Sequence, residues 1–94
     1  MPAEIRGGRV IRKDGVDVTH AYQRGADEAL KLAQLAGART AILKARSPSC
    51  GCGQIYDGSF SGKLVEGDGV FAERCKQSGL EVNTEEEWNQ RPLP

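Results

Sequence analysis

Between His20 and Ala36 the side chains Tyr22, Ala26, Ala29, Ala33 and Ala36 recur at intervals of four, three, four and three, with Leu30 beside them. Such intervals place one apolar stripe along a helix, so the pattern predicts an α-helix over these residues. Asp17 or Thr19 is positioned to cap its start, and Gly37 stands where a left-handed residue ends a helix. Most of the stripe is alanine, which lets the helix lie close to a neighbour. Thr40-Ala41-Ile42-Leu43-Lys44 follows with no helical period. Short and apolar, it predicts a buried strand, parallel to its partner because a helix precedes it. A second helix is expected between Asp68 and Gly79, with Val70, Phe71 and Cys75 on its core face. Leu80-Glu81-Val82-Asn83 reads as another short strand. Thr84 and Glu87 have the spacing of a capping box, which predicts a brief helix reaching Trp88.

The remainder is less periodic. Asp14-Gly15 is a turn dipeptide and predicts a ribbon pairing Arg9–Lys13 with Val16–Val18. Residues 45–67 are rich in Gly and Ser and read as one long loop, ordered by Ile55, Tyr56 and Phe60. Loops of this length in compact domains are commonly functional. Residues 88–94, with Pro92 and Pro94, read as a frayed tail. Helices alternating with short apolar strands give an α/β class: a small parallel sheet with flanking helices. Two core strands are fewer than a stable sheet needs. The expectation is therefore an incomplete three-layer α/β domain, completed by self-association or by a further segment.

Composition narrows the function. The chain has 94 residues, with thirteen Lys and Arg against thirteen Asp and Glu, so no strongly basic nucleic-acid footprint is expected. It holds no apolar run long enough to span a membrane and opens without a secretory signal. Three cysteines, Cys50, Cys52 and Cys75, make an odd set that does not suit a disulfide framework. A reducing, cytoplasmic setting is expected.

The candidate chemistry lies in Ser47-Pro48-Ser49-Cys50-Gly51-Cys52-Gly53, which leaves the carboxyl end of the predicted parallel strand, where open α/β sheets bind ligands. Lys44 and Arg46 stand just before it, and cations near Cys50 would favour its thiolate. Ser47, Ser49 and the amides around Gly51 and Gly53 could line an anion nest. The thiols do not have zinc spacing, because only one residue separates Cys50 from Cys52. Gly58-Ser59-Phe60-Ser61-Gly62-Lys63-Leu64 is not a phosphate loop: it is one residue short between its glycines and has Leu64 in place of Ser or Thr. Asp57 reads as a turn former, Tyr22 as core, Cys75 as core filler, and Glu85-Glu86-Glu87 as acids at a helix N-terminus.

The run Leu43-Lys44-Ala45-Arg46-Ser47-Pro48-Ser49-Cys50-Gly51 with Ile55-Tyr56-Asp57-Gly58-Ser59-Phe60-Ser61-Gly62 resembles the bacterial and archaeal family catalogued as domain of unknown function 523, which includes thiouracil desulfidases. Asp14-Gly15, Asp17-Val18-Thr19, Arg24-Gly25-Ala26, Gly67-Asp68-Gly69-Val70 and Gly79-Leu80-Glu81-Val82 match its pattern in order. The resemblance covers residues 4–87. It implies removal of sulfur from thiolated pyrimidines by a [4Fe-4S] cluster held by three cysteines, with one iron open to take sulfur. It implies Cys50 as a cluster ligand and Ser47 and Ser49 as catalytic hydroxyls. Lys44, Arg46, Tyr56, Asp57 and Ser59 would lie on the substrate side. Cys52 and Cys75 match no ligand of the family. The other two ligands would come from an earlier cysteine-containing turn and a Cys-Pro-Glu element, neither of which these residues contain. The expectation is the C-terminal part of a desulfidase-like domain, inactive as an isolated chain, whose partner is a missing N-terminal segment or a second copy. Its alternatives are a non-catalytic protein acting by association and a thiol-based anion or metal binder using Cys50 and Cys52 across a dimer.

Overall fold

A computed structural model of the chain describes residues 1–90. The chain opens with a hairpin, β1 (Ala3–Arg6) and β2 (Arg9–Arg12), paired antiparallel with Ile5 opposite Val10. Its turn is Gly7-Gly8, where both residues take positive φ, the backbone that matches strand twist in a two-residue loop. The main partner of β2 is thus β1, a pairing the sequence reading did not include, while the ribbon expected around Asp14-Gly15 forms in part. That second turn does form, with the Gly15 amide donating to the Arg12 carbonyl at 2.8 Å. Beyond it the Arg12 amide donates to the Val16 carbonyl at 2.8 Å and the Val18 amide to the Val10 carbonyl at 2.9 Å, on either side of an antiparallel Ile11–Asp17 bridge.

Helix α1 (Thr19–Leu35) follows the predicted stripe to within a residue at each end. Neither proposed residue caps it by side chain: the N-cap is Val18, with no side-chain bond. Instead the Thr19 hydroxyl accepts from the buried Val10 amide at 2.8 Å, and Asp17 Oδ1 accepts from the Thr19 amide at 2.9 Å. The two residues tie the helix start to the hairpin. Gly37 ends the helix at φ +71°, and the Ala38 amide reaches back to the Ala33 carbonyl.

Strand β3 (Thr40–Leu43) pairs in parallel with β6 (Glu81–Thr84), in register Thr40 to Glu81. The segment read as one loop instead contains a short antiparallel hairpin, β4 (Gln54–Tyr56) and β5 (Leu64–Glu66). Three-residue strands flanked by glycines carry too little alternation to show in a sequence. Helix α2 (Val70–Gln77) lies within the expected bounds, and Gly79 stops it at φ +85°. Helix α3 (Glu85–Asn89) has the complete capping box: Thr84 Oγ1 accepts from the Glu87 amide and Glu87 Oε1 from the Thr84 amide. It includes Trp88 and Asn89, so the expected tail starts too early, and its residues 91–94 lie outside the described part.

The result is a small mixed α/β domain with one parallel ladder and two antiparallel hairpins. Its core is Val10, Ile11, Ala26, Ala45, Ile55, Ala72 and Cys75. Helix α1 packs on α2 and β2, α2 packs on β6, and β1 meets β4. No helix among the described residues is long and apolar enough to cross a membrane.

Candidate functional site

The strand β3 passes through Lys44 into buried Ala45, whose amide donates to Glu85 Oε2 at 2.8 Å. Arg46 then takes φ +66°, a left-handed backbone that costs a non-glycine residue about 1–2 kcal/mol. Two contacts hold it there. Its guanidinium meets Glu86 Oε1 at 2.8 Å, and its backbone bridges Ile55. The three acids of the Glu85–Glu87 run thus have separate tasks: one receives Ala45, one Arg46, and one closes the capping box.

After Arg46 the chain coils into a tight turn. Ser47 Oγ accepts from the Cys50 amide at 2.6 Å, and the Ser47 carbonyl accepts from the Gly51 amide at 2.8 Å. The start of α2 docks onto this turn from the other side. The Val70 amide donates to the Pro48 carbonyl, those of Phe71 and Ala72 to the Ser49 carbonyl, and that of Gly69 to the Gly51 carbonyl. The approach is close because Gly51 and Gly69 lack side chains. A Cβ on Gly51 would lie 2.8 Å from the Ser47 carbonyl oxygen, and one on Gly69 2.7 Å from the Cys50 nitrogen. This network does not leave the anion nest expected from sequence. The amides of Cys50 and Gly51 bond within the turn, and that of Gly53 donates to Asp68 Oδ1 at 2.9 Å. The turn instead fixes Cys50 rigidly in a half-buried position.

The three thiols have three environments. Cys50 faces the Ser49 hydroxyl, with Sγ and Oγ 3.8 Å apart. Cys52, also half-buried, lies 3.9 Å from the Val82 carbonyl. Lys76 lies beside it, with its ammonium 3.0 Å from Asp68 Oδ1; Asp68 and then Cys52 push the Lys76 pKa up. Cys75 is fully buried, and burial first, then the nearby Cys50, pushes its thiol pKa up. Arg46 does not act as a free cation beside Cys50, because Glu86 holds its guanidinium.

A cavity of about 470 Å³ opens just past the C-terminal end of β3 and is lined by Glu4, Tyr22, Lys44, Arg46, Ser47 and Tyr56, among others. Four sequence-selected residues, Lys44, Arg46, Ser47 and Tyr56, therefore meet around one space. Ser49, Cys50, Asp57 and Ser59 are not in its lining. Asp57 is a turn former: its Oδ1 accepts from the Ser59 amide and hydroxyl, which hold its pKa below the ordinary carboxylate range. Tyr22, expected in the core, is half-buried on this lining, and Glu4 carried no expectation from sequence. Glu4 Oε1 accepts from the Gly58 and Phe60 amides, both at 3.1 Å, and so anchors the loop after Tyr56 to the first hairpin. A carboxylate more than fifty positions from its partners leaves no local sequence signal.

A three-thiolate cluster needs converging ligands. Among the described residues no three of the His, Cys, Asp and Glu side chains are grouped to hold a metal ion. Within this chain, then, the residues do not fit a [4Fe-4S] cluster by themselves.

Comparison with known proteins places this arrangement. The curated Bacillus subtilis (strain 168) protein YbbK, described as uncharacterized, is 44% identical over 98 residues, covering 94% of this chain and 65% of its own length. The solved structure of a [4Fe-4S]-dependent thiouracil desulfidase, TudS, superposes with a TM-score of 0.88 at 40% identity, covering 95% of this chain and 59% of that one. The chain thus spans somewhat under two thirds of each relative. The family model described as 2-thiouracil desulfurase matches residues 1–87. With a match over nearly its whole length, the chain belongs to the 2-thiouracil desulfurase family.

Proposed function

We propose that these residues form one wall of a thiouracil-desulfidase-type centre that is completed by polypeptide outside residues 1–94. The cavity beside β3 takes a thiolated pyrimidine, and Cys50 supplies one of the thiolates of an iron–sulfur cluster. The observation that carries this reading is the Ser47–Gly51 turn. It holds Cys50 one turn from Ser47, a residue of the cavity lining, on the loop leaving a parallel strand. Ser47 Oγ accepts from the Cys50 amide and retains its own proton to donate. It can therefore orient a substrate heteroatom while it fixes the thiolate ligand. Lys44 offers an ammonium to an anionic pyrimidine, and Tyr56 contributes a ring face and a hydroxyl. Ser49, Asp57 and Ser59 act behind this wall by shaping the loops that carry Cys50 and Tyr56.

Anaerobic reconstitution with iron and sulfide tests the reading. The chain alone develops no absorption band near about 400 nm, because a thiolate-ligated cluster lacks ligands there. Supplied with the complementary part of a relative, it develops the band and releases sulfide from 2-thiouracil. Cys50→Ser then abolishes the band, and Cys52→Ser keeps it. Ser47→Ala keeps the band but lowers sulfide release about 100-fold, within the range for removing one positioned proton-handling group. A band that survives Cys50→Ser would refute the assignment.

A further inference from the structure

Among the described residues that line the cavity beyond β3, Glu4 is the one acid. It stands with the basic Lys44 and Arg46 and the hydroxyls of Ser47, Tyr22 and Tyr56, between otherwise apolar neighbours. Arg46 is already engaged, by Glu86 at 2.8 Å. Glu4 is engaged through one oxygen only. Its Oε1 accepts from the amides of Gly58 and Phe60, both at 3.1 Å, and its Oε2 has no protein partner among the described residues. Gly58 itself lies against β1, where a Cβ would come 2.5 Å from the Cβ of Arg6 and 3.0 Å from the Ile5 carbonyl oxygen. Loop and carboxylate thus hold each other in place. An acceptor fixed in advance loses little freedom when a ligand binds.

We infer that Glu4 is a specificity-determining residue of this cavity: its free oxygen accepts a hydrogen bond from a ring N–H of the pyrimidine. The site then takes bases that keep this N–H and rejects bases alkylated there. The identity of the ligand rests on the desulfidase reading. A carboxylate oxygen only accepts, an ammonium only donates, and a hydroxyl does both. In neutral 2-thiouracil the C=S carbon lies between two ring nitrogens, each bearing a hydrogen. The anion of the base keeps one of them, so Lys44 meets the negative edge while Glu4 takes the remaining N–H. A hydrogen bond to a charged acceptor is stronger than one between neutral groups, and an analogue without the N–H leaves that acceptor unpaired. Pockets with largely apolar walls set ligand orientation through a few fixed polar groups, and Glu4 joins a fixed position to an unused acceptor.

Nuclear magnetic resonance of the 94-residue chain, without iron or sulfide, tests it. The ring signals of Tyr22 and Tyr56 report binding in the cavity, and the Gly58 and Phe60 amide signals report the loop. In the parent, 2-thiouracil shifts the tyrosine signals. So does 6-methyl-2-thiouracil, which adds bulk on carbon and keeps both N–H groups, with a similar dissociation constant. The analogue 1,3-dimethyl-2-thiouracil has no ring N–H and binds about tenfold or more weakly. Glu4→Gln keeps an acceptor oxygen for the two loop amides and puts an NH2 donor in place of Oε2. Its Gly58 and Phe60 signals therefore stay in place, 2-thiouracil binds about tenfold more weakly, and the preference over the dimethyl compound disappears. If the variant disturbs the loop, the methylated series on the parent decides alone. Equal binding of the methylated and unmethylated bases to the parent overturns the inference. So does a Glu4→Gln chain that keeps the preference, and so does a parent whose tyrosine signals ignore 2-thiouracil. The desulfidase reading fails separately: a completed protein that assembles no cluster removes that reading and leaves the measured base selectivity standing, while lost selectivity leaves the cluster result untouched.

Discussion

At the scale of single residues, the same substitution has opposite effects at two glycines. Gly69 lies against the Ser49–Cys50 backbone, where a Cβ would collide with atoms that have no flexible end to give way. Gly69→Ala must part α2 from the cysteine turn and is expected to cost about 1–3 kcal/mol, the range for overpacking. Gly25 lies within α1 with open space around it and no positive φ. Gly25→Ala reduces the entropy of the unfolded chain and should add about 0.4–1 kcal/mol. Urea midpoints of the two variants, shifted in opposite directions from the parent at similar m-values, check both. Equal shifts would mean that the close approach at Gly69 is not formed in solution.

At the scale of elements, charges and caps hold the ends in place. The Asp17 carboxyl is held down to about 2 by the Thr19 hydroxyl, then the Thr19 amide and Arg9. A carboxylate with a lowered folded pKa stabilises above its unfolded pKa, about 3.9, and that contribution is lost as pH falls towards 2. Melting temperatures of the parent and Asp17→Asn should therefore differ at pH 7 and converge only as pH falls below about 2. A gap independent of pH would assign the effect to shape rather than charge. At the far end, Thr84→Ala removes one half of the α3 capping box and should cost about 1 kcal/mol in chemical denaturation. These elements also show what a sequence reveals. The α1 stripe, the β3 run and the Thr84–Glu87 box were legible because each signal is local, repeated or fixed in spacing. The β4–β5 hairpin was not, since its strands are too short to alternate. The candidate site was proposed from the Ser47–Cys50 motif, but the bonds from Glu4 to Gly58 and Phe60 and from Glu86 to Arg46 join residues forty or more positions apart. Only the folded chain brings those residues together. The anion nest failed for a related reason: sequence shows which amides exist, not which are already bonded.

At the scale of the whole molecule, the thiols report how far the domain holds together. Cys75 is fully buried on α2, while Cys50 and Cys52 are half-buried in the loop after β3. A fast thiol reagent should modify two cysteines promptly under native conditions. The third should react only through openings that release α2, at a rate reduced by the equilibrium constant of that opening. For a chain of this size, with a small core and an uncovered strand, that constant is modest, and Cys75 should become reactive at urea concentrations well below the midpoint of global unfolding if α2 opens separately. Liquid chromatography with mass spectrometry of timed samples separates the three sites. Labelling of Cys75 at the rate of Cys50 in native buffer would show that α2 does not stay docked on the cysteine turn. The rigid placement of Cys50, on which the proposed function depends, would then be lost with it.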